Sequence, residues 1–336
     1  MGAYLASAAE TLGVNYVLLD LKEAEAAHRL VRSYYWRFRA RRPARMDRFA
    51  KKVLQTAEQF GPDIVITTGV RVPLLGSDIR RLQAQNIRVL NYSTDDPWNP
   101  VLASDWFLST LNAYDVVFTP RRANMEDLRR ACVREIQYLP FGYDPEVHKP
   151  AESTASTEPC DLLFVGGCDR ERLPLIEALA RSGLKLALFG GYWDRHATTR
   201  NHWRGIADQN TILAASGAAR ICLCLVRRAN RDAHVMRSFE AAAVGGCILA
   251  EDTDDHRSLF GPDGAAYFGT NEELVGQAWR LNRSPEIRTR MAQALVERLA
   301  VRHDTYADRL SEMLKFAMGL GVTPDTPLMN RPLVLM

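Results

Sequence analysis

Short apolar runs alternate with amphipathic segments along most of the chain. The runs end in glycine or in small polar residues, and in the segments between them apolar residues recur every three or four positions. This alternation is typical of parallel β-sheets that are wound by helices on both faces. Strands are predicted over residues 15–21, 63–69, 87–97, 114–120, 136–140, 161–167, 184–191, 219–226, 247–250 and 265–268.

Helices are predicted between these strands and after the last of them. They cover residues 2–12, 46–60, 74–86, 104–112, 124–132, 170–183, 210–217, 271–282, a segment that begins at Ser284-Pro285, and 305–320. A polar stretch with several prolines separates the two series of strands and reads as a linker. We therefore expect four parts, namely a first domain 1–145, a linker 146–159, a second domain 160–303, and a helix with a tail, 304–336, that packs back on the first domain.

The first domain begins with a helix, because only Met1 precedes residues 2–12. A doubly wound domain usually begins with a strand, so this domain is expected to lack its first strand. The apolar end of the chain, RPLVLM, is a segment to consider for that place. Two such domains joined by one linker are expected to bind ligands in a cleft beyond the carboxyl ends of their strands.

Composition and charge narrow the class of protein. The 336 residues are 47% hydrophobic and 25% charged, and no apolar run approaches the roughly 20 residues that span a bilayer. The six cysteines have neither the spacing of a disulfide framework nor that of a zinc site. These features predict a cytoplasmic protein that binds no metal.

The net charge of +3 conceals a basic segment. Between Arg29 and Lys52 the chain carries ten basic residues and a single acid, and Tyr34, Tyr35, Trp36 and Phe38 are interleaved with them. Such a patch could hold an anionic membrane surface, nucleic acid or an acidic acceptor, which would make the protein membrane-peripheral. It is also consistent with a solvated helix face whose aromatic side chains pack inward.

The stretch DAHVMRSFEAAAVGGCILA, residues 232–250, concentrates polar residues at the start of a short predicted helix. We expect Ser238 to cap this helix and Gly245-Gly246 to end it. Backbone amides at a helix start favour anions, so the pattern predicts a site for phosphate and sugar. The charged or titratable residues that crowd this place are Asp232, His234, Arg237 and Glu240.

Polar or glycine residues also follow the other predicted strands. In the first domain they are Thr67-Thr68-Gly69 and Ser93-Thr94-Asp95-Asp96, and in the second they are Gly166-Gly167 and Gly190-Gly191-Tyr192. Since the carboxyl ends of parallel strands meet at one edge of a sheet, these residues are candidates for ligand contacts.

One long segment resembles a known family. RSFEAAAVGGCILAEDTDDHRSLFGPDGAAYFGTNEELVGQ is similar to the carboxyl-terminal half of the group-1 retaining glycosyltransferases of the GT-B fold, in particular the spore-maturation CgeB-like branch. That branch carries an R-x-F-E-x-x-A-x-G run, which here begins at Arg237. PDIVITTG, IRVLNYSTDDP and IQYLPFGYDPEVHKP in the first half resemble its acceptor domain.

The resemblance implies a metal-independent transfer from a nucleoside-diphosphate sugar, which acts as co-substrate, to a glycan, protein or small-molecule acceptor with retention. Glu240 would bind the ribose and Asp232, in place of a family glutamate, the transferred sugar. Phosphate contacts would come from Arg237 and from the loop after Gly166-Gly167, which carries Arg170 and Arg172. The remaining candidates are His234 and Ser238 near the donor, Tyr192 or Trp193 against the base, and Asp95 and Asp96 near the acceptor.

Two alternatives stay open at this point. Asp95-Asp96-Pro97 is also typical of a capped turn without a catalytic role. The shorter acid at Asp232 and the missing first strand are consistent with a catalytically silent GT-B-shaped protein that binds or assembles components in polysaccharide or surface-structure maturation.

Overall fold

The computed structural model describes residues 1–150, 158–319 and 332–336, and its chain divides into two compact units. Unit 1 comprises Met1–Pro140, Ala229–Arg231 and Tyr306–Met336, and unit 2 comprises Phe141–Arg228 and Asp232–Thr305. Unit 2 thus begins ahead of the predicted linker 146–159, of which 151–157 lie outside the described residues. Residues 320–331 of the predicted tail lie outside them as well.

Each unit has one parallel sheet. The strands in chain order are β1 (Tyr16–Leu18), β2 (Ile64–Thr68), β3 (Arg88–Tyr92), β4 (Val116–Thr119), β5 (Ile136–Tyr138), β6 (Leu162–Val165), β7 (Leu186–Phe189), β8 (Ile221–Cys224), β9 (Ile248–Glu251), β10 (Ala265–Phe268) and β11 (Leu333–Leu335). Their order is β1-β11-β2-β3-β4-β5 in unit 1 and β10-β9-β8-β6-β7 in unit 2.

The helices fill the intervals between the strands. They are α1 (Gly2–Thr11), α2 (Lys22–Glu25), α3 (Arg29–Phe38), α4 (Met46–Phe60), α5 (Gly76–Gln83), α6 (Asp105–Leu108), α7 (Ala123–Arg130), α8 (Arg172–Ala180), α9 (Gln209–Ala218), α10 (Met236–Ala243), α11 (Asp254–Gly264), α12 (Asn271–Arg283), α13 (Pro285–Val301) and α14 (Tyr306–Ala317). The expected α/β class with two Rossmann-like halves is confirmed.

The sheet of unit 1 is complete, so the expectation of a missing strand is wrong for the sheet. The strand β11 lies between β1 and β2 and pairs in parallel with both. Its residues Leu333, Val334 and Leu335 are fully buried, as an inner strand covered on both faces requires. The Thr68 hydroxyl donates to the carbonyl oxygen of Met336 at 2.9 Å. The first domain begins with a helix, and the apolar segment RPLVLM supplies an inner strand of its sheet.

Local sequence explains most of the helices. In α4 the buried side chains Met46, Phe49, Ala50 and Val53 fall on one face at the spacing of an amphipathic helix. Gly61 follows with φ of 61° and ends the helix, because glycine adopts this left-handed conformation without steric cost.

The helix α10 begins earlier than the sequence indicates, and the expected cap at Ser238 is wrong. The residue that precedes the first turn is Val235, in extended conformation, and it offers no side-chain cap. Ser238 lies inside the helix, fully buried, with its hydroxyl 3.3 Å from Nε2 of His256. The glycine stop is confirmed, because Gly245 has φ of 79° and the Gly246 amide donates to the carbonyl of Ala241 at 2.9 Å.

The helix α11 has no counterpart among the predicted elements. Gly261, with φ of 69°, and Pro262 interrupt it, so its sequence resembles a loop. Thr253 caps its first turn by accepting from the His256 amide at 3.1 Å. His256 is fully buried, and its Nδ1 lies 2.8 Å from the carbonyl oxygen of Glu251. Burial lowers the pKa of His256 to about 4.

The place of β11 can be tested with two matched leucine substitutions. Leu335→Ala should lower the free energy of unfolding by about 2–5 kcal/mol, because it leaves a cavity in the centre of a sheet. Leu30→Ala removes the same atoms from a side chain that is 72% exposed. This variant should change the free energy of unfolding by less than about 0.5 kcal/mol. Urea denaturation measures both values, and equal losses in the two variants would contradict an inner position for β11.

The buried His256 predicts a pH dependence of stability. Between its pKa of about 4 in the folded chain and about 6.5 in the unfolded chain, the unfolded state binds more protons, so stability falls as the pH falls. From pH 7 to pH 5 this single group should cost about 2 kcal/mol. His256→Asn should show a correspondingly smaller loss in urea denaturation over this range. The same pH dependence in both proteins would show that the pKa of His256 is not lowered in the folded state.

Candidate functional site

A buried carboxylate lies at the centre of the candidate site in unit 2. Glu240 is on α10 and only 2% exposed. One of its oxygens contacts the guanidinium of Arg237, and Oε1 lies 3.5 Å from Nε2 of His148. Nδ1 of His148 accepts from the amide of Asp144 at 2.9 Å, and its Nε2 also lies 3.2 Å from the side-chain nitrogen of Gln209.

These contacts keep Glu240 ionised without saturating it. Burial acts to raise the pKa of Glu240, but His148 and Arg237 outweigh it, so the pKa lies below its usual value. Neither carboxylate oxygen accepts a hydrogen bond of good geometry from a residue that the structure describes. A buried carboxylate with unused acceptor capacity is uncommon, and a ligand with two adjacent hydroxyl groups would satisfy it.

Arg237 is the more accessible member of this pair, with a side chain that is 25% exposed. Its position in the first turn of α10 adds the backbone amides of a helix start to the same place.

Two other residues of this stretch, which the sequence predicts as ligand contacts, are buried and contact other residues of unit 2. His234 is 1% exposed and lies between the carboxylate of Asp255, 3.0 Å from Nδ1, and the amide of Phe141, which donates to Nε2 at 3.4 Å. Ser238 is fully buried against His256. Both side chains hold α10 in place, and the described contacts leave them no open face toward a ligand.

The two Gly-Gly turns of unit 2 pack against each other. A Cβ on Gly190 would lie 2.3 Å from the carbonyl oxygen of Gly166, so this approach requires glycine. The buried indole of Trp193 donates to that same carbonyl at 2.8 Å. Gly167 has only the carbonyl of Gly191, at 3.8 Å, near the place of its Cβ, which leaves open space beside the turn.

The aromatic and basic residues after these turns divide into buried and exposed groups. Trp193 is in the core, whereas Tyr192 is 55% exposed, with the guanidinium of Arg195 4.3 Å from its ring centroid. Arg172 is 7% exposed and donates to the carbonyl of Leu225 at 3.0 Å, so its guanidinium binds the backbone directly after β8. Arg170 is exposed and remains available for a phosphate.

Asp232 is half-buried. Burial lowers the pKa of Arg172, and the negative charge of Asp232 opposes this shift. Asp232, Arg237 and Glu240 all belong to unit 2. Their ligand contacts stay predictions.

In unit 1 the two predicted aspartates have different surroundings. Asp96 is 1% exposed, and both of its oxygens accept from Arg231, at 2.5 and 2.9 Å. It also accepts from the amide of Trp98 at 2.9 Å, which is the turn cap that the sequence left open as an alternative. Asp95 is half-buried, accepts from Nδ2 of Asn230 at 2.9 Å, and lines a cavity of about 550 Å³.

The basic segment forms α3 and the start of α4, and the aromatic side chains of α3 do not pack inward. None of the α3 residues is buried. The exposed apolar residues of this helix are Leu30, Val31, Tyr34, Trp36 and Phe38, between 39% and 72% exposed. The alternative of a solvated helix with inward aromatic residues is wrong.

Several residues of this site lay outside the sequence prediction. His148 falls in the predicted linker, far from Glu240 along the chain. Asp255 and His256 belong to the unpredicted α11, and Arg231 pairs with an aspartate 135 positions away. Only the quoted similarity of IQYLPFGYDPEVHKP to an acceptor domain pointed toward His148, and it did not assign the residue a contact.

Within the part of the chain that the structure describes, no helix is long and apolar enough to cross a membrane. The described residues contain no group of three or more His, Cys, Asp or Glu side chains that could hold a metal ion.

Comparisons with known proteins bear on the fold and on one part of the sequence. Residues 170–315, less than half of the chain, match the sequence profile of a family described as "Glycosyl transferase-like". No curated protein sequence matches the chain.

Solved structures match over most of both chains. They include a sucrose-phosphate synthase from Thermosynechococcus elongatus, 14% identical over 82% of this chain and 78% of that one, with a TM-score of 0.59. A glycosyltransferase from Rickettsia africae is 12% identical over 95% and 93%, with a TM-score of 0.61. A structure described as "Trehalose-6-phosphate from E. coli bound with UDP-2-fluoro glucose" is 11% identical over 93% and 94%, with a TM-score of 0.60. The chain therefore has the α/β fold of the GT-B glycosyltransferases, and its residues 170–315 are similar to the glycosyl transferase-like family.

Proposed function

We propose that the protein is a glycosyltransferase whose unit 2 binds a nucleoside-diphosphate sugar and whose unit 1 binds the acceptor. The observation that carries this proposal is the buried, ionised and unsaturated carboxylate of Glu240 beside Arg237 at the start of α10. The family match over residues 170–315 includes this helix and supports the proposal. UDP-2-fluoro glucose in one structural neighbour supports a sugar nucleotide as the ligand class.

The donor would be bound by an exchange of partners. Arg237 leaves Glu240 for the diphosphate, and the ribose hydroxyls then donate to the freed carboxylate oxygens. Arg170 and the amide groups at the start of α10 add to the diphosphate contacts, and Tyr192 offers an exposed ring for the base. Asp232 would contact the transferred sugar.

The reaction would proceed with retention and without a metal. The bond between the anomeric carbon and the diphosphate breaks, the acceptor oxygen bonds to the same face of that carbon, and the acceptor proton passes to the diphosphate. Because the leaving diphosphate gains charge in the transition state, Arg237 and Arg170 stabilise the transition state more than the ground state.

A second candidate is a protein of the same fold that binds a sugar nucleotide but does not transfer the sugar. Asp232, shorter than the glutamate of the resembling family, favours it. The gap in the first sheet no longer does, because β11 fills it. Slow hydrolysis of a bound sugar nucleotide distinguishes the two candidates.

The donor site is tested with a panel of sugar nucleotides. At least one should raise the melting temperature and be hydrolysed slowly. Glu240→Gln should weaken its binding by about 10- to 100-fold in calorimetry, because hydrogen bonds to a charged carboxylate are lost. Glu297→Gln, on an exposed side chain of α13, should leave the affinity unchanged. If no sugar nucleotide binds or is turned over, the enzyme proposal fails, and equal affinities would remove Glu240 from the ribose.

We further propose that the outward face of α3 contacts an anionic membrane surface. This face carries exposed Leu30, Tyr34 and Phe38, spaced four residues apart, and α3 belongs to a segment that holds ten basic residues. Both the apolar stripe and the charge suit such a surface, which makes the protein membrane-peripheral.

Vesicle sedimentation tests this contact. The double variant Leu30→Asp and Phe38→Asp should bind phosphatidylglycerol vesicles at least about tenfold more weakly, because two buried apolar groups are replaced by charges. Ile206→Asp, on a side chain of unit 2 that is 82% exposed, serves as the control and should bind like the original chain. Equal binding of both variants would contradict the contact.

A further inference from the structure

Two cavities of unit 1 share a wall and form one groove. The larger, of about 550 Å³, begins at the carboxyl end of β2 with Thr68 and Gly69 and includes Asp95. The smaller, of about 300 Å³, lies beside α3. Both are lined by Glu25, Arg32, Pro43 and Arg71. The groove therefore runs from the edge of the sheet, where acceptor contacts are proposed, to the basic segment.

The smaller cavity carries an excess of positive charge. Four arginines line it, Arg29, Arg32, Arg42 and Arg71, with Glu25 as the single acid. Arg71 pairs with Glu25 at 2.5 Å. The guanidinium groups of the other three form no ion pair or hydrogen bond with any residue in the ranges that the structure describes. Three unneutralised guanidinium groups around one cavity favour an anion with several oxygens.

The face of α3 toward this cavity differs from its outward face. Arg29, Arg32, Ser33 and Trp36 line the cavity and are spaced as one side of a helix, three and four residues apart. The guanidinium of Arg71 lies 4.9 Å from the centroid of the Trp36 ring and fixes this side chain at the wall. Leu30, Tyr34 and Phe38 do not line the cavity, so the cavity side of α3 is distinct from its outward face.

We propose that the groove binds an acceptor that carries a phosphate or diphosphate, with its anion among Arg29, Arg32 and Arg42. The hydroxyl end of this acceptor lies toward Asp95. The proposal rests on the proposed function and names the chemical class of the acceptor. The phosphate belongs either to a soluble sugar phosphate or to a lipid headgroup, and both share the chemistry that the three arginines recognise.

Calorimetry with a hexose 6-phosphate and with inorganic pyrophosphate tests the cavity on the full chain. Arg32→Ala should weaken the binding of at least one of these probes by about tenfold or more, since charge-assisted hydrogen bonds are lost. The matched control is Arg37→Ala, on the same helix but outside the cavity wall, and it should change the affinity by less than about twofold. Equal losses of affinity in the two variants would show that the anion binds to a diffuse basic surface and would overturn the proposed cavity site.

Vesicles distinguish the two sources of phosphate. Phosphatidic acid presents a phosphate monoester, whereas phosphatidylglycerol presents only a diester. For a lipid acceptor, Arg32→Ala should weaken binding to phosphatidic acid vesicles several-fold more than binding to phosphatidylglycerol vesicles. For a soluble acceptor, only the hexose phosphate or pyrophosphate should respond. If Arg32→Ala weakens the binding of neither the two soluble probes nor phosphatidic acid vesicles, the proposal is overturned.

The same measurements separate this proposal from the proposed function. Arg32→Ala should leave the affinity for a sugar nucleotide unchanged, and Glu240→Gln should leave the affinity for the hexose phosphate unchanged. Phosphate binding without any sugar-nucleotide binding would sink the glycosyltransferase proposal while the cavity stands. Sugar-nucleotide binding without any binding of phosphate through Arg32 would overturn the cavity proposal and leave the glycosyltransferase proposal standing.

Discussion

The pairing of β11 between β1 and β2 is the constraint on which unit 1 depends. An inner strand of a parallel sheet must satisfy its backbone groups on both sides, and here the partner strands come from the opposite end of the sequence. The hydrogen bond from Thr68 to Met336 joins residues 268 positions apart. Such a contact forms only after a large loss of chain entropy, so unit 1 needs nearly the whole polypeptide before its sheet is closed. The groove that begins at Thr68 and Gly69 depends on the same closure.

Unit 2 depends instead on buried polar contacts. His234 lies between Asp255 and an amide, and Ser238 lies against His256, all behind α10. Each of these groups would be costly to bury alone, and together they satisfy one another. This network anchors the start of α10, and a site that must present Arg237 and Glu240 to a ligand requires such an anchor.

The parts of the fold that depend on local sequence could be predicted. The amphipathic face of α4 and its Gly61 stop are in the sequence, as are the apolar strands and the Gly245 stop of α10. What the sequence hides is decided by distant contacts. The helix α11 has a glycine and a proline in its interior, and only packing makes it helical. Ser238 has the character of a capping residue, but a buried histidine far along the chain engages it.

The sequence singles out Arg237 and Glu240 as candidates, but it does not indicate what pairs with them. Arg237 and Glu240 stand out by their spacing on one short helix. His148 does not, because nothing in its polar, proline-rich segment indicates that its ring contacts the carboxylate of Glu240, 92 positions later. The exposed side of α3 is a similar case. Its apolar residues predict burial by their character, and their exposure becomes visible only when the neighbouring elements are in place.

The two aspartates of unit 1 show how geometry separates equivalent sequence candidates. Asp96 accepts two hydrogen bonds from Arg231 and one from a backbone amide, so its carboxylate has little capacity left for an acceptor hydroxyl. Asp95 accepts from Asn230 through Oδ1, and its Oδ2 accepts no hydrogen bond from a residue that the structure describes. Asp95 also lines the groove, whereas Asp96 is 1% exposed. If one of the two orients the acceptor, the free oxygen of Asp95 is the group that can do so, and the Asp96–Arg231 pair is the contact that fixes the turn on which Asp95 stands.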